Sequence, residues 1–121
     1  MTAERERPVD ILDRLYETIV SRREARPADS YVVRLLDGGL DAMGAKIREE
    51  AEEVVQAAAG ESDAALAHEV ADLVFHVWVL LASRGVEPDA AYAELARRFG
   101  VGGLEEKASR GARAEGDRDD S

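Results

Sequence analysis

Residues 40–83 read LDAMGAKIREEAEEVVQAAAGESDAALAHEVADLVFHVWVLLAS, and this stretch decides the fold. In its first half Leu40, Met43, Ile47, Ala51, Val54 and Ala58 recur at three- and four-residue spacing, the period of one helical face, and Gly60 closes the run. In its second half Ser62 or Asp63 offers an N-cap, and Leu66, Val70, Leu73, Val77, Leu80 and Leu81 form an inward set before Gly85. Two long helices joined by so short a link pack antiparallel through their apolar stripes.

Outward from this hairpin the chain stays helical. A helix is expected over Val9 to Arg23, with Asp10 near its start and Ile11, Leu15 and Ile19 four residues apart. Glu24 to Ser30, with Arg26, Pro27 and Asp29, reads as a loop, and Tyr31 to Leu36 as a short helix ended by Gly38 and Gly39. Pro88 and Asp89 open a last helix containing Tyr92, Leu95, Ala96 and Phe99, which Gly100 stops. The fold class is therefore all-α. Residues 9–110 form one domain between two disordered ends, 1–8 and 111–121, the latter with no apolar side chain larger than alanine.

Composition excludes several function classes. The 16 Lys and Arg against 26 Asp and Glu leave a net charge of −10, which opposes binding to nucleic acid through its phosphates. With no cysteine there is no disulfide framework, no thiolate nucleophile and no Cys-type zinc site. Met1 to Pro8 is charged, and the longest uninterrupted apolar stretch, Val77 to Ala82, is far shorter than the roughly 20 residues of a membrane span. A soluble, cytoplasmic protein is expected, without nucleic acid or membrane as partner.

Lys46-Ile47-Arg48-Glu49-Glu50-Ala51-Glu52-Glu53 carries four carboxylates within five residues. Alone it reads as a solvated acidic face. The next helix changes that reading, because Glu69 and Asp72 stand in a segment, Leu66 to Ala82, that is otherwise apolar apart from His68 and His76. Isolated carboxylates are costly to bury unless paired or bound to metal. Glu69, Asp72 and His76 share one stripe, as do Glu50 and Glu53, and residues so spaced can reach one cation. If the helices pack antiparallel, two acidic pairs face each other in an oxygen-only site suited to Mg²⁺.

Glu50-x-x-Glu53 followed after fifteen residues by Glu69-x-x-Asp72 resembles the metal motif of the MazG-type all-α nucleoside triphosphate pyrophosphatases. Three further stretches are similar to the phosphoribosyl-ATP pyrophosphatase family: Arg26-Pro27-Ala28-Asp29-Ser30-Tyr31 before the Gly-Gly pair, Lys46 to Ala51, and Gly103-Leu104-Glu105-Glu106-Lys107-Ala108-Ser109-Arg110. The resemblance covers residues 9–110. Gly102 stands where the family commonly has Ser, and Phe75 where it has Tyr.

That resemblance implies an Mg²⁺-dependent hydrolase of histidine biosynthesis that cleaves phosphoribosyl-ATP between its α and β phosphates, giving phosphoribosyl-AMP and pyrophosphate. Glu49, Glu50, Glu53, Glu69 and Asp72 are the candidate metal ligands, with Glu49 and Glu50 also candidates for catalysis. Lys46, His76, Arg98, Lys107 and Arg110 are the candidate substrate contacts. Each has a plainer reading. Lys46 can simply pair with Glu50, His76 can be a hydrogen-bonded core residue, and Arg97 and Arg98 can serve the dipole of the last helix. His68 reads as a surface residue and Trp78 as core or interface. Rival functions are a house-cleaning nucleoside triphosphate pyrophosphatase and a non-catalytic acidic dimerisation module. The breadth of apolar surface formed by Val74, Val77, Trp78 and Leu81 predicts a homodimer in which two hairpins make a four-helix bundle.

Overall fold

The computed structural model describes residues 8–100, all of whose regular structure is helical. The elements are α1 (Pro8–Ala25), α2 (Tyr31–Asp37), α3 (Gly39–Gly60), α4 (Asp63–Arg84) and α5 (Pro88–Phe99). Serine hydroxyls start two of them: Ser30 Oγ accepts from the Val33 amide at 3.2 Å and Ser62 Oγ from the Ala65 amide at 3.1 Å. The two ends expected to be disordered lie outside the described residues, apart from Pro8, where α1 begins.

The junction of α2 and α3 differs from the expectation in one respect. Gly38 caps α2, but Gly39 opens α3 instead of lengthening the break, because its φ of 73° turns the chain in a single residue. Gly38 answers to a different constraint. A Cβ there would sit 2.5 Å from the Cβ of Ala42, closer than two carbons can pack.

The described residues divide into two units, 8–88 and 89–100. In the first, α3 and α4 form the main antiparallel pair, α1 lies on α4, and α2 touches α1, α3 and α4. Tyr16, Ile19, Val32, Leu35, Met43, Val79 and Ala82 make the core, with Leu15, Phe75 and Trp78 packed against it. Ile19 and Val79 are fully buried, each worth about 1.5–3 kcal/mol. Polar tips anchor the packing. The Tyr16 hydroxyl donates to Val86 O at 2.8 Å, Trp78 Nε1 to Leu12 O at 2.9 Å, and Arg23 Nη1 to Ala82 O at 2.6 Å. Trp78 is thus tied to α1 by its indole as well as by packing.

The inward line of α4 runs through His76, Val79 and Ala82. Val70, six residues before His76, is turned about 240° from it and stays 43% exposed. Leu40 and Ile11, expected on inward stripes, are also exposed. By length and composition α4 could cross a membrane, a test that core helices of soluble proteins also pass. Here it packs against three other helices.

In the second unit α5 carries Tyr92, Leu95 and Phe99, with Leu95 and Phe99 exposed.

Candidate active site

Helix α3 supplies Lys46, Glu49, Glu50 and Glu53, and α4 supplies Glu69, Asp72 and His76, because the antiparallel pairing sets the acidic turn of one against that of the other. Two groups result. One oxygen from each of Glu49, Glu50 and Glu53 lies within 4.8 Å of the others, and so does one from each of Glu50, Glu69 and Asp72. Glu50 belongs to both, and the structure thereby brings all five expected ligands together.

Their electrostatics are unfavourable without a counter-charge. Glu50 is only 5% exposed, and its Oε1 and the Oε1 of Glu69 are buried with no hydrogen-bond partner. An orphaned buried acceptor costs about 1–3 kcal/mol, more when charged. The Glu53 carboxyl is held above the usual carboxylate range, first by its hydrogen bond to Glu69, then by desolvation and the negative charges of Glu69 and Glu49. Crowded carboxylates, two of them with a buried oxygen that no hydrogen bond uses, are a donor set fitted to a hard divalent cation.

Lys46 lies beside this group. Its Nζ lies 3.4 Å from Glu49 Oε1 and 3.6 Å from Glu50 Oε2. Burial works against its charge, yet the hydrogen bond to Glu49 and the neighbouring negative charges prevail and raise its pKa. The ammonium is therefore a permanent positive charge at the rim of the acidic group.

His76 is buried, and both of its ring nitrogens are engaged. Nδ1 lies 2.7 Å from the Asp72 carbonyl oxygen, which can only accept, so Nδ1 carries a proton. Nε2 then accepts from the Tyr31 hydroxyl at 2.9 Å. Tyr31 also stacks on Phe75, with ring centroids 6.1 Å apart, and lies under the guanidinium of Arg34. Sequence reasoning did not single out Tyr31 as a site residue. The available signal was its place at the start of α2, directly after the cap Ser30. Tyr31→Phe keeps the stack but orphans the buried Nε2, and is expected to lower stability by about 1–3 kcal/mol in urea unfolding. An unchanged midpoint would show that the hydroxyl bond carries nothing.

His68, read as a surface residue, is exposed, but its Nε2 lies 3.4 Å from Asp72 Oδ2. Arg98 belongs to the second unit. There Arg97 and Arg98 both pair with Glu94, the Arg98 Nε to Glu94 Oε2 distance being 2.7 Å. Hydrogen bonds from Arg97 and then Arg98 pull the Glu94 carboxyl down to about 2. Lys107 and Arg110 lie outside the described residues.

Residues 12–99 match the profile of the phosphoribosyl-ATP pyrophosphohydrolase family. A phosphoribosyl-ATP pyrophosphatase of Rhodopirellula baltica is 49% identical over 113 residues, 91% of this chain and 94% of that protein. Proteins of the same name from Trichlorobacter lovleyi and Erythrobacter litoralis are 50% and 52% identical, covering 83% and 85% of this chain and 93% and 99% of their own lengths. With nearly half or more of the positions shared over almost the whole length of these relatives, the chain belongs to the phosphoribosyl-ATP pyrophosphohydrolase family.

Proposed function

We propose that this chain hydrolyses phosphoribosyl-ATP to phosphoribosyl-AMP and pyrophosphate, in the cytoplasm, as a step of histidine biosynthesis. The observation that carries the reading is that Glu50 of α3 and Glu69 of α4 each keep a buried, unpartnered oxygen and belong to one group of carboxylates whose oxygens lie within 4.8 Å of one another. A module whose carboxylates only solubilise it would point them at water. Relatives named phosphoribosyl-ATP pyrophosphatase supply the substrate and the bond.

Glu49, Glu50, Glu53, Glu69 and Asp72 would hold Mg²⁺, which supplies the positive charge that a triphosphate and a departing pyrophosphate need. The rest falls to the chain's own side chains. Lys46, held over Glu49 and Glu50, meets a phosphate oxygen with its permanent charge. Glu49 is the most accessible of the five carboxylates to water, and with Glu50 beside it takes the proton from the attacking water. His76 contacts substrate through Nε2, in exchange for the Tyr31 hydroxyl. By the family resemblance, Arg98, Lys107 and Arg110 would add phosphate contacts. In this reading the chain's acidity is local chemistry: a site that gathers cations can receive a polyanion.

Pyrophosphate release measured with phosphoribosyl-ATP, and in parallel with ordinary nucleoside triphosphates, tests the reading. Release confined to phosphoribosyl-ATP is expected; equal or faster release from ordinary triphosphates overturns the substrate, and none from either overturns the activity. A chain truncated after Arg110 is expected to keep full turnover, whereas truncation after Gly100 should lose most of it with helicity retained. Equal turnover in the two would remove Lys107 and Arg110 from the site.

A further inference from the structure

In a chain with a net charge of −10 an arginine has many acids to choose from, and Arg23, Arg26, Arg97 and Arg98 each pair with one. Arg34 does not. Its guanidinium carbon lies 5.6 Å from the centroid of the Tyr31 ring, one turn back on α2, and it has no acidic partner among the described residues. A cation over a ring is held by the ring's quadrupole, which uses none of the guanidinium N–H donors. Charge and donors are both left over, on an exposed side chain.

The ring that holds Arg34 belongs to the candidate site. The Tyr31 hydroxyl donates to His76 Nε2 at 2.9 Å, and the two rings meet edge to face with centroids 5.7 Å apart. Burial opposes the Lys46 charge, and after the hydrogen bond to Glu49 the Tyr31 hydroxyl is the next group that raises the Lys46 pKa, so the phenol lies within electrostatic reach of that ammonium. Arg34 is therefore one ring removed from His76 and Lys46, the substrate contacts proposed on α4 and α3.

We infer that Arg34 binds the monoester phosphate of the substrate's phosphoribosyl arm and so distinguishes phosphoribosyl-ATP from ordinary nucleoside triphosphates. The inference rests on the substrate reading proposed above. That substrate carries two separate anionic groups, the triphosphate and the phosphate on the added ribose. The first has the cation of the acidic site and Lys46 to meet it. The second adds a charge of about −1.5 to −2 at neutral pH, which an acidic chain repels unless a cation is placed for it. A guanidinium suits that role because its parallel N–H donors reach two oxygens of one phosphate, and its hold on Tyr31 limits the side-chain freedom lost on binding.

Arg34→Met tests the assignment, since methionine keeps a long side chain against the Tyr31 ring and removes the charge. Steady-state hydrolysis of phosphoribosyl-ATP by the full chain is measured with ribose 5-phosphate and pyrophosphate as separate competing inhibitors. The KM should rise about tenfold while kcat changes less than about twofold; the inhibition constant of ribose 5-phosphate should rise by a similar factor, and that of pyrophosphate should stay within about twofold. Arg34→Lys, which keeps the charge and loses the fork, should fall between. Arg48→Met is the reference for losing one positive charge. Arg48 is exposed on α3, about 200° round the helix from Lys46 and Glu50, with its guanidinium folded back over Gly44, and its kinetics should match those of the unaltered chain. An unchanged KM in Arg34→Met, an equal rise for pyrophosphate, the same rise in Arg48→Met, or no inhibition of the unaltered chain by ribose 5-phosphate would each overturn the inference while turnover of phosphoribosyl-ATP still stood. An unaltered chain that leaves phosphoribosyl-ATP intact removes the substrate reading itself, and the inference with it.

Discussion

Glu69→Gln and Asp72→Asn should each lower divalent-dependent turnover about a thousandfold, about 4 kcal/mol of transition-state stabilisation, while leaving the helices intact. The two carboxylates stand on α4 facing Glu50 of α3, and each offers an oxygen within 4.8 Å of the other members of its group. Gln and Asn keep the shape and remove the charge, so a loss of turnover reports the charge itself. Stability should move the other way. Glu69 is the first cause of the raised Glu53 pKa, and its Oε1 is buried without a partner. Neutralising it relieves a like-charge contact, so metal-free Glu69→Gln should unfold at the same temperature as the unaltered chain or slightly above it. Turnover at saturating Mg²⁺ together with circular dichroism of the metal-free protein decides the matter. Near-normal turnover in both variants would remove these residues from the site, and a lower melting temperature for Glu69→Gln would mean that the hydrogen bond between Glu69 and Glu53 outweighs the like-charge contact.

The grouping of carboxylates was legible because its residues violate a local rule. An almost wholly apolar helix carrying Glu69 and Asp72 three residues apart is unexpected unless something meets them, and the pairing of α3 with α4 brings Glu50 there. Helix boundaries were equally readable, since Ser30, Ser62, Gly60 and Gly85 cap or close segments whose period is plain. What periodicity did not give was the choice of face. On α4 so many positions are apolar that several stripes are possible, and His76, Val79 and Ala82 are the buried ones because small or hydrogen-bonding side chains permit the closest approach. The Tyr31–His76 and His68–Asp72 contacts were hidden for separate reasons. The first joins residues 45 apart in sequence, which no local pattern reports. The second is local, but a polar residue one turn from an acid is ordinary on a helix surface, and no pattern marks one such pair above another.

Sedimentation of the full chain at micromolar concentration should give twice its 13.2 kDa mass. The reason lies in a stripe of α4 that the chain's own core covers only in part, Leu81 packing against that core while Val70 stays open. Val70, Val74, Val77 and Leu81 recur at spacings of four, three and four residues, the period of a helix–helix seam, and none of the four is buried. Val70 is the most open, at 43%. A second copy related by a twofold axis would present the same stripe to this one, and two α3–α4 pairs would then close a four-helix bundle around it. This seam runs along the same helix as Glu69 and Asp72, so loosening it disturbs the frame that holds them. Val70→Asp tests the arrangement with least harm to the core, since Val70 packs least within its own chain while the seam would bury an unpaired charge. The variant is expected to shift towards monomer and to lose turnover in proportion, recovering part of it as protein concentration rises. A stable monomer of the unaltered chain with full turnover would refute the bundle. So would a Val70→Asp chain whose mass and turnover are unchanged, for the stripe would then face water in the working enzyme.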